Sequence, residues 1–191
     1  MGNIKMEKIV LASASPRRRE LLSSIGLEFD VVESNFDESS VKRDCGPCNL
    51  ARVLALEKAK DVYDRLDYGV VIGADTIVVI EGEILGKPID EADARRMLEL
   101  LSGTEHHVYT GVCIKHNNRN IAFAEDTKVR FFDLSDKEIS DYIDTGEPFD
   151  KAGAYGIQGI GALIVSGITG DYYNVMGLPV GRLARELQNM Y

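Results

Sequence analysis

The sequence predicts an α/β protein built on a mixed sheet that helices flank. Strand-like and helix-like segments alternate along the chain, and the chain opens with a strand, a helix and a second strand. The segment 69–82, GVVIGADTIVVIEG, is apolar on both alternate sets of positions, which is typical of a central strand covered on both faces. With 191 residues, 45% of them hydrophobic, the chain is long enough to bury a sizeable core.

The first three elements follow from apolar runs and helix signals. Residues 8–13 predict a short buried strand. A helix is predicted over 15–25, because Ser15 is a favoured N-cap, Pro16 suits the first helical position and Gly26 ends the periodic run. A second strand is predicted over 29–34.

The middle of the chain predicts two helices around a hairpin. Apolar residues at near-helical spacing predict an amphipathic helix over 49–66. The apolar strand 69–82 is followed by a turn at its end and by the shorter segment 83–88, which together predict a hairpin. An acidic first turn and a glycine stop predict a helix over 90–103.

The last third of the chain predicts strands followed by helices. Ser135 and Glu138 have the spacing of a capping box, so a helix is expected from there to about Gly146. The other elements predicted are a strand over 107–116, a hairpin turn at 117–120, a strand over 121–134, a strand over 161–170 and a closing helix over 178–190.

The charge balance argues against a phosphate polymer as partner. Lys and Arg number 22 against 31 Asp and Glu, so most of the surface should repel nucleic acid. No apolar run approaches the roughly 18–20 residues of a membrane span, and the N-terminal apolar run is shorter than a signal-peptide core. We therefore expect a cytoplasmic protein with no membrane partner.

Three consecutive arginines stand at the start of the first predicted helix. Cations there oppose the helix dipole, at a cost of roughly 0.3–1 kcal/mol each. Backbone N–H groups, the hydroxyls of Ser13 and Ser15 and the guanidinium groups of Arg17 and Arg18 would form a donor cluster suited to phosphate or carboxylate. The alternative is an exposed basic turn that pairs with a neighbouring glutamate or with water.

Asp75 lies inside the most apolar predicted strand. A buried carboxylate costs several kcal/mol unless it is neutralised, hydrogen-bonded or bound to a metal. Gly73, two residues earlier, would permit a bulge or a close backbone approach that aims Asp75 and Thr76 into a pocket. The alternative is an aspartate that caps local backbone amides.

Two glycine-containing loops carry further candidates. Lys87 in GKP and Lys151 in DKAGAYGIQG could reach a phosphate as point charges. Gln158 carries an amide donor and an acceptor, which is the equipment for reading the edge of a nucleobase. Plain turn chemistry remains the alternative for both loops.

The cysteines and histidines predict no metal site. Residues 45–48 read Cys-Gly-Pro-Cys, the spacing of a thioredoxin-like dithiol, but that chemistry also needs a buried strand before Cys45, and the preceding segment is polar. The alternative is a purely structural segment, a loop that leads into a helix beginning at a proline. Histidines 106, 107 and 116 lack the spacing of zinc ligands.

Taken together, LASASPRRRELL, GADTIVV, GKP, YTGV, DKAGAYGIQG and YYNVMGLPV resemble the Maf (septum-formation protein) family of nucleoside triphosphate pyrophosphatases over about residues 8–188. The resemblance implies a single Maf-like domain over 1–191, with an inosine-triphosphatase-like elongated mixed sheet and two lobes around a central cleft. It also implies hydrolysis of a nucleoside triphosphate to a monophosphate and pyrophosphate. The form of the last two motifs resembles the branch that acts on dTTP and UTP, and modified pyrimidine triphosphates are further candidates.

The same resemblance implies roles for individual residues. Asp75 would be the catalytic base and, with Glu38, a ligand of a divalent metal, for which Mg²⁺ is expected and Mn²⁺ or Co²⁺ are alternatives. The residues expected to share the triphosphate charge are Ser13, Arg17, Arg18, Lys58 and Lys87. The residues expected to set specificity are Arg17, Thr76 and Gln158.

The resemblance also favours a homodimer and leaves the physiological role open between nucleotide housecleaning and arrest of cell division. One alternative is a nucleotide-binding regulator of septum formation whose hydrolysis is incidental. The other is the dithiol oxidoreductase that Cys45 and Cys48 suggest.

Overall fold

The computed structural model describes residues 7–42, 44–66 and 68–190. Within these residues seven strands and six α-helices alternate, with short 3₁₀ turns between some of them. The strands are β1 (Ile9–Ala12), β2 (Phe29–Val31), β3 (Val70–Ile80), β4 (Glu83–Leu85), β5 (Glu105–His116), β6 (Arg119–Phe131) and β7 (Val165–Thr169). The helices are α1 (Pro16–Ser24), α2 (Pro47–Leu66), α3 (Glu91–Leu101), α4 (Asp136–Asp144), α5 (Tyr172–Met176) and α6 (Val180–Met190).

All seven strands belong to one mixed sheet. Its order is β2-β1-β3-β5-β6-β7, and β4 pairs with β3 off this path. β1 runs parallel to both β2 and β3, whereas the β3/β4 and β6/β7 pairs are antiparallel. The predicted class, a mixed α/β sheet flanked by helices, is confirmed.

The chain divides into two compact units. The first comprises the described parts of residues 1–75, 110–125 and 177–191, and the second comprises Thr76–Tyr109 and Asp126–Met176. In the first unit, β1 and β3 pack against α2 around Val10, Ala59 and Val71. In the second, α3 and α4 pack around Leu98, Phe131 and Ile143.

Two of the predicted helix N-terminal signals form capping hydrogen bonds, and the one at Ser15 does not. Asp90 caps α3, because its side chain accepts a hydrogen bond from the backbone N–H of Asp93 at 2.8 Å. Ser135 and Glu138 form the predicted capping box at the start of α4. Ser15 is the N-cap of α1, but its side chain makes no capping hydrogen bond, and its own N–H donates instead to Ser13 Oγ at 3.2 Å.

Two predicted strands are shorter in the structure, and one helix was not predicted. The strand expected over 161–170 is confined to Val165–Thr169, since Gly159–Leu163 forms a 3₁₀ turn. Gly161 in this turn packs closely on Gly156, since a Cβ at Gly161 would lie 2.1 Å from the carbonyl oxygen of Gly156. β2 is shorter than predicted, and the short helix α5 was not foreseen.

Candidate active site

The site of the first unit begins where β3 meets α2. A Cβ on Gly73 would lie 2.3 Å from the carbonyl oxygen of Ala55 and 2.9 Å from the Cβ of Ala59, so only glycine permits this approach of strand to helix. Side chains two apart on a strand share a face, so Asp75 projects toward the same helix as Gly73. This is the close approach that the sequence suggested.

Lys58 of α2 meets Asp75 of β3. Its Nζ donates to Asp75 Oδ1 at 2.6 Å and lies 2.6 Å from Glu38 Oε1. The side chains of Lys58 and Asp75 are 14% and 10% exposed, so this ion pair is shielded from water. The cation that Asp75 requires therefore comes from a helix 17 residues away in the chain.

Burial has the largest influence on the pKa of Asp75. It raises the pKa of the Asp75 carboxyl above its ordinary value, while the charges of Lys58 and Arg18 work against that rise and Glu38 adds to it. A carboxylate with a raised pKa and water-excluding surroundings is a better proton acceptor than an exposed one. The role of Asp75 as a general base stays a prediction, and a raised pKa is what that role needs.

Arg18 places a second cation beside this carboxylate. Its Nε donates to the carbonyl oxygen of Gly177 at 2.7 Å and its Nη1 donates to Ser13 Oγ at 3.1 Å. Burial lowers the pKa of Arg18, Arg17 lowers it further, and the charge of Asp75 partly offsets both effects. The first turn of α1 is therefore a cationic site that an anion would stabilise.

The third arginine serves a different purpose. The guanidinium of Arg19 lies 3.7 Å from Glu33 Oε1, so a distant glutamate and not the neighbouring Glu20 offsets its charge. Arg17 is half-buried in the same helical turn. Consecutive residues of an α-helix point about 100° apart, so Arg18 and Arg19 reach different partners.

Glu38 reaches the site from a 3₁₀ turn over Glu38–Ser40. Asp37 caps that turn, since its Oδ1 accepts from the backbone N–H of Ser39 at 2.9 Å. Glu38 and Asp75 both contact the same Lys58 Nζ, so their carboxylates lie within two hydrogen-bond lengths of each other.

Two convergent carboxylates suit Mg²⁺, which binds one or two acidic side chains and completes its octahedron with water and substrate phosphate oxygens. Among the residues that the structure describes, no group of three or more His, Cys, Asp and Glu could hold a metal, so a dedicated protein cage is absent from that part of the chain. Glu38 and Asp75 therefore fit the ion that the sequence resemblance implies.

The remaining predicted site residues belong to the second unit. Thr76 follows Asp75 in β3 and is half-buried, whereas Lys87 is exposed just after β4. Lys151 Nζ donates to the carbonyl oxygen of Glu147 at 2.6 Å and to Asp150 Oδ1 at 2.7 Å, so its ammonium is held within its own loop. Their roles toward a ligand stay predictions.

Gln158 sits in a loop that Glu147 holds in place. Glu147 Oε1 accepts from Tyr142 Oη at 3.0 Å and from the N–H of Gly161 at 3.2 Å, and its Oε2 accepts from the N–H of Ile160 at 3.1 Å. Sequence reasoning missed Glu147. The only signal is an acidic residue in a glycine-rich loop, and nothing local indicates amide partners 13 and 14 residues away.

The dithiol alternative loses its structural support. The described residues between Val31 and Pro47 contain a 3₁₀ turn and no strand, so no buried strand delivers Cys45 to the helix. The purely structural alternative, a loop followed by a helix that starts at Pro47, is confirmed. Cys45 and Cys48 are exposed.

The histidines have partners within the protein. His106 is fully buried and its Nε2 lies 2.7 Å from Tyr155 Oη, while His107 Nδ1 lies 2.8 Å from Asp126 Oδ1.

No helix in the described ranges combines the length and apolar character needed to cross a bilayer.

The family model described as "Maf-like protein" matches residues 8–190. The chain belongs to the Maf family. A protein of Geobacillus sp. (strain WCH70) named dTTP/UTP pyrophosphatase is 51% identical over 185 residues, which cover 97% of this chain and 99% of the relative. A relative of the same name from Bacillus cereus (strain ATCC 10987 / NRS 248) is 50% identical over 183 residues, which cover 96% of this chain and 90% of the relative.

Among solved structures, the Staphylococcus aureus Ham1 protein aligns with a TM-score of 0.45 and 16% identity, over 66% of this chain and 72% of that chain. A similarity at this level adds nothing to the assignment to the Maf family, which rests on the sequence matches.

Proposed function

We propose that this Maf-family chain is a nucleoside triphosphate pyrophosphatase that hydrolyses dTTP and UTP to the monophosphate and pyrophosphate. The observation that carries the proposal is the buried Asp75, held at 2.6 Å by Lys58 and adjoined by Glu38 and Arg18. The name of the relatives, dTTP/UTP pyrophosphatase, supplies the substrates. Modified pyrimidine triphosphates are further candidate substrates.

The reaction needs a base, and we assign that role to Asp75. Its carboxylate takes a proton from a water whose oxygen forms a bond to the α-phosphorus. The bond from that phosphorus to the bridging oxygen breaks, and pyrophosphate leaves with the bonding electron pair. Because burial raises the pKa of Asp75, the carboxylate accepts the proton more readily than an exposed one would.

The cations of the first unit would bind the phosphates. Phosphoryl transfer depends mainly on positioning and on stabilising the charge of the transferred group. Arg18 offers a guanidinium oriented by Ser13 and Gly177. Lys58 offers an ammonium that can exchange the Glu38 carboxylate for a phosphate oxygen. The hydroxyl of Ser15 and the cation Lys87 are proposed to add to this binding.

A divalent metal, Mg²⁺ with Mn²⁺ or Co²⁺ as alternatives, would be held by Glu38 and Asp75 and would neutralise phosphate charge. Lys58 Nζ contacts one oxygen of each of these carboxylates and offsets part of their charge.

Specificity is proposed to rest on Arg17, Thr76 and Gln158, which match the family positions given this role. A site that hydrogen-bonds a base can reject one that lacks the partner by roughly 10⁴–10⁵. Thymine and uracil differ by one methyl group, worth about 1–3 kcal/mol in a tight pocket. Acceptance of both nucleotides is therefore physically reasonable.

For the cellular setting, we propose a cytoplasmic homodimer that acts on free nucleotides and binds neither membranes nor nucleic acid polymers. The excess of 31 acidic over 22 basic residues supports the last point. Light scattering of the purified protein would test the dimer, and a monomer at micromolar concentration would overturn it.

The deciding experiment incubates the protein with Mg²⁺ and a panel of nucleoside triphosphates and resolves monophosphate, diphosphate, pyrophosphate and orthophosphate. Wild type should release monophosphate and pyrophosphate from dTTP and UTP, and Asp75→Asn should lower kcat by about 10²–10⁴ because the general base is lost. Asp64→Asn, an exposed residue of α2, is the matched control.

Release of orthophosphate and diphosphate would contradict attack at the α-phosphorus. Binding of dTTP or UTP by calorimetry without turnover of any nucleotide would overturn the enzyme and favour the nucleotide-binding regulator of septum formation.

A further inference from the structure

Helix α2 carries two further polar side chains on the side that holds Lys58. Asp61 lies one turn and Arg65 two turns beyond Lys58, so the three side chains follow one another along the helix. Lys58 contacts Glu38, whereas the proposed function does not use Asp61 or Arg65. Both contact the segment 33–36, which leads directly to Glu38.

One carboxylate oxygen of Asp61 accepts three hydrogen bonds. Its Oδ2 accepts from the backbone N–H of Asn35 at 2.8 Å, from Ser34 Oγ at 3.0 Å and from Arg65 Nη2 at 3.0 Å. Asn35 and Ser34 are 26 and 27 residues away in the chain, so these bonds fasten a distant segment to α2. Burial alone would raise the pKa of Asp61, but the hydrogen bonds and the charge of Arg65 outweigh burial and lower that pKa below its ordinary value.

Further hydrogen bonds extend this attachment in both directions along the segment. Arg65 Nη2 donates to the carbonyl oxygen of Glu33 at 2.6 Å, and Ser34 Oγ accepts from the N–H of Phe36 at 3.1 Å. Asp37 then caps the 3₁₀ turn that follows. Every residue from Glu33 to Asp37 therefore takes part in at least one hydrogen bond.

The segment has no regular structure of its own to hold it. β2 ends at Val31, the 3₁₀ turn begins at Glu38, and none of the described residues between them lies in a strand or a helix. The side chain of Glu38 is 54% exposed, and an ion pair of such an exposed group contributes little to fixing its position. The place of Glu38 therefore depends on the attachment that Asp61 provides.

We propose that Asp61 is a positioning residue, which together with Arg65 holds residues 33–37 on α2 so that the carboxylate of Glu38 lies close to that of Asp75. The inference rests on the proposed function in one respect, the binding of a divalent metal by Glu38 and Asp75. Hydrogen-bonding partners behind metal ligands orient those ligands, and loss of such a partner typically lowers metal affinity about 10–100-fold.

The first test measures amide hydrogen exchange over residues 33–40 in the protein without metal or nucleotide. Asp61→Ala should accelerate exchange there about tenfold, because the N–H of Asn35 and the hydroxyl of Ser34 lose a charged acceptor. Asp64→Ala removes the same charge from an exposed position of α2 and is the matched control, in which exchange should not change. Equal acceleration in the two variants, or none in Asp61→Ala, would overturn the inference.

The second test titrates the protein with Mn²⁺ alone and follows the free ion by electron paramagnetic resonance. Asp61→Ala should weaken binding about tenfold, and Glu38→Gln should weaken it at least as much. The double variant should bind no more weakly than Glu38→Gln, because Asp61 acts through Glu38. A further loss in the double variant as large as that of Asp61→Ala alone would overturn the positioning role.

A third variant separates positioning from charge. All three hydrogen bonds fall on one oxygen of Asp61, and the amide oxygen of an asparagine can accept them in the same place. Asp61→Asn should therefore keep the dissociation constant of Mn²⁺ within about threefold of wild type. A loss as large as that of Asp61→Ala would show that the charge of Asp61 attracts the ion at long range, and would overturn the positioning role.

Failure of this inference is distinguishable from failure of the proposed function. Binding of Mn²⁺ that Glu38→Gln weakens and Asp61→Ala does not would overturn the positioning role alone. Binding that Glu38→Gln leaves unchanged would remove Glu38 from the metal site and overturn both. Neither measurement depends on turnover of a nucleotide.

Discussion

At the scale of single residues, Lys58 links the two acidic groups of the site and sets their charge balance. It lies 2.6 Å from carboxylate oxygens of both Asp75 and Glu38, and only 14% of its side chain is exposed. A buried carboxylate that loses its counter-ion keeps the full cost of desolvation. The acidity of Asp75 should therefore respond to Lys58 more than to any change on the surface.

Lys58→Met should move the acidic limb of the pH profile of kcat/KM to higher pH. The charge of Lys58 lowers the pKa of Asp75, so its removal raises that pKa, and the base is then protonated at a pH where the wild type is still active. At neutral pH we also expect a loss of roughly 10²-fold in kcat/KM, because a cation on the phosphates is missing. Lys60→Met should leave both quantities unchanged. An unshifted acidic limb in Lys58→Met would mean that Asp75 is not the group that titrates.

At the scale of elements, the contact between β3 and α2 brings the site residues together. Gly73 allows the backbone of the strand to reach Ala55 and Ala59 of the helix, and Lys58 precedes the second of these. The turn that carries Glu38 and the helix that carries Lys58 are neighbours in the chain. The separation of one strand from one helix thus controls the distance between acid and ammonium.

Gly73→Ala should destabilise the protein by about 3 kcal/mol, at the upper end of overpacking costs, because the new Cβ meets backbone atoms that cannot move alone. Activity should fall by more than the folded fraction, since the strand must move away from Lys58. Urea unfolding and kcat/KM on dTTP measure the two effects. Gly167→Ala in β7 is the control, because a Cβ there has no atom within 4 Å. Stability equal to wild type in Gly73→Ala would contradict the close approach.

The loop that carries Gln158 depends on Glu147 in the second unit. Glu147→Ala removes the acceptor for two backbone amides and for the Tyr142 hydroxyl, each worth about 1.5–3 kcal/mol when the acceptor is charged. Amide hydrogen exchange over residues 156–161 should accelerate, and KM for dTTP and UTP should rise with little change in kcat. If Gln158 reads the base, Glu147→Ala and Gln158→Ala should be clearly non-additive. Additive effects of the two substitutions on KM, or an unchanged rate of amide hydrogen exchange, would contradict a role of this loop in substrate selection.

At the scale of the whole molecule, stability should depend on pH through the core of the second unit. His106 is fully buried against Phe131 and Tyr155, and burial, aided by the neighbouring charge of His107 and opposed by Glu105, lowers its pKa from 6.5 to about 4. The unfolded chain therefore takes up a proton on this ring at a higher pH than the folded chain does.

The neutral His106 ring costs the folded protein nothing above about pH 6.5, and the unfolding free energy falls as the pH drops from there toward 4. At about 1.4 kcal/mol per unit of pKa difference, the total loss is about 3 kcal/mol. His106→Gln, which keeps a partner for the Tyr155 hydroxyl, should flatten the decline in unfolding free energy between pH 6.5 and 4.5. Urea titrations at several pH values measure it. A variant with the same slope as wild type would show that His106 is not the group responsible.

Most of the local structure follows from the sequence alone. Pro16 at the first position of α1 and the N-caps Asp90 and Ser135 of α3 and α4 act on backbone groups a few residues away, and the apolar period distinguishes β3 from α2. The candidate site residues Arg18 and Asp75 are also visible in the sequence, because each lies in a short, recognisable motif.

How those residues pair depends on packing between segments that are distant in the chain. Lys58 reaches Asp75, the carbonyl of Gly177 holds Arg18 across 159 residues, and Glu147 binds amides of a later turn. The 3₁₀ turn that replaces part of the predicted strand before β7 depends on packing against Gly156. The physical reason is the same in each case. Capping and periodicity act within one or two turns, whereas a buried charge or an unpaired carbonyl is satisfied by whichever group the packed core brings to it.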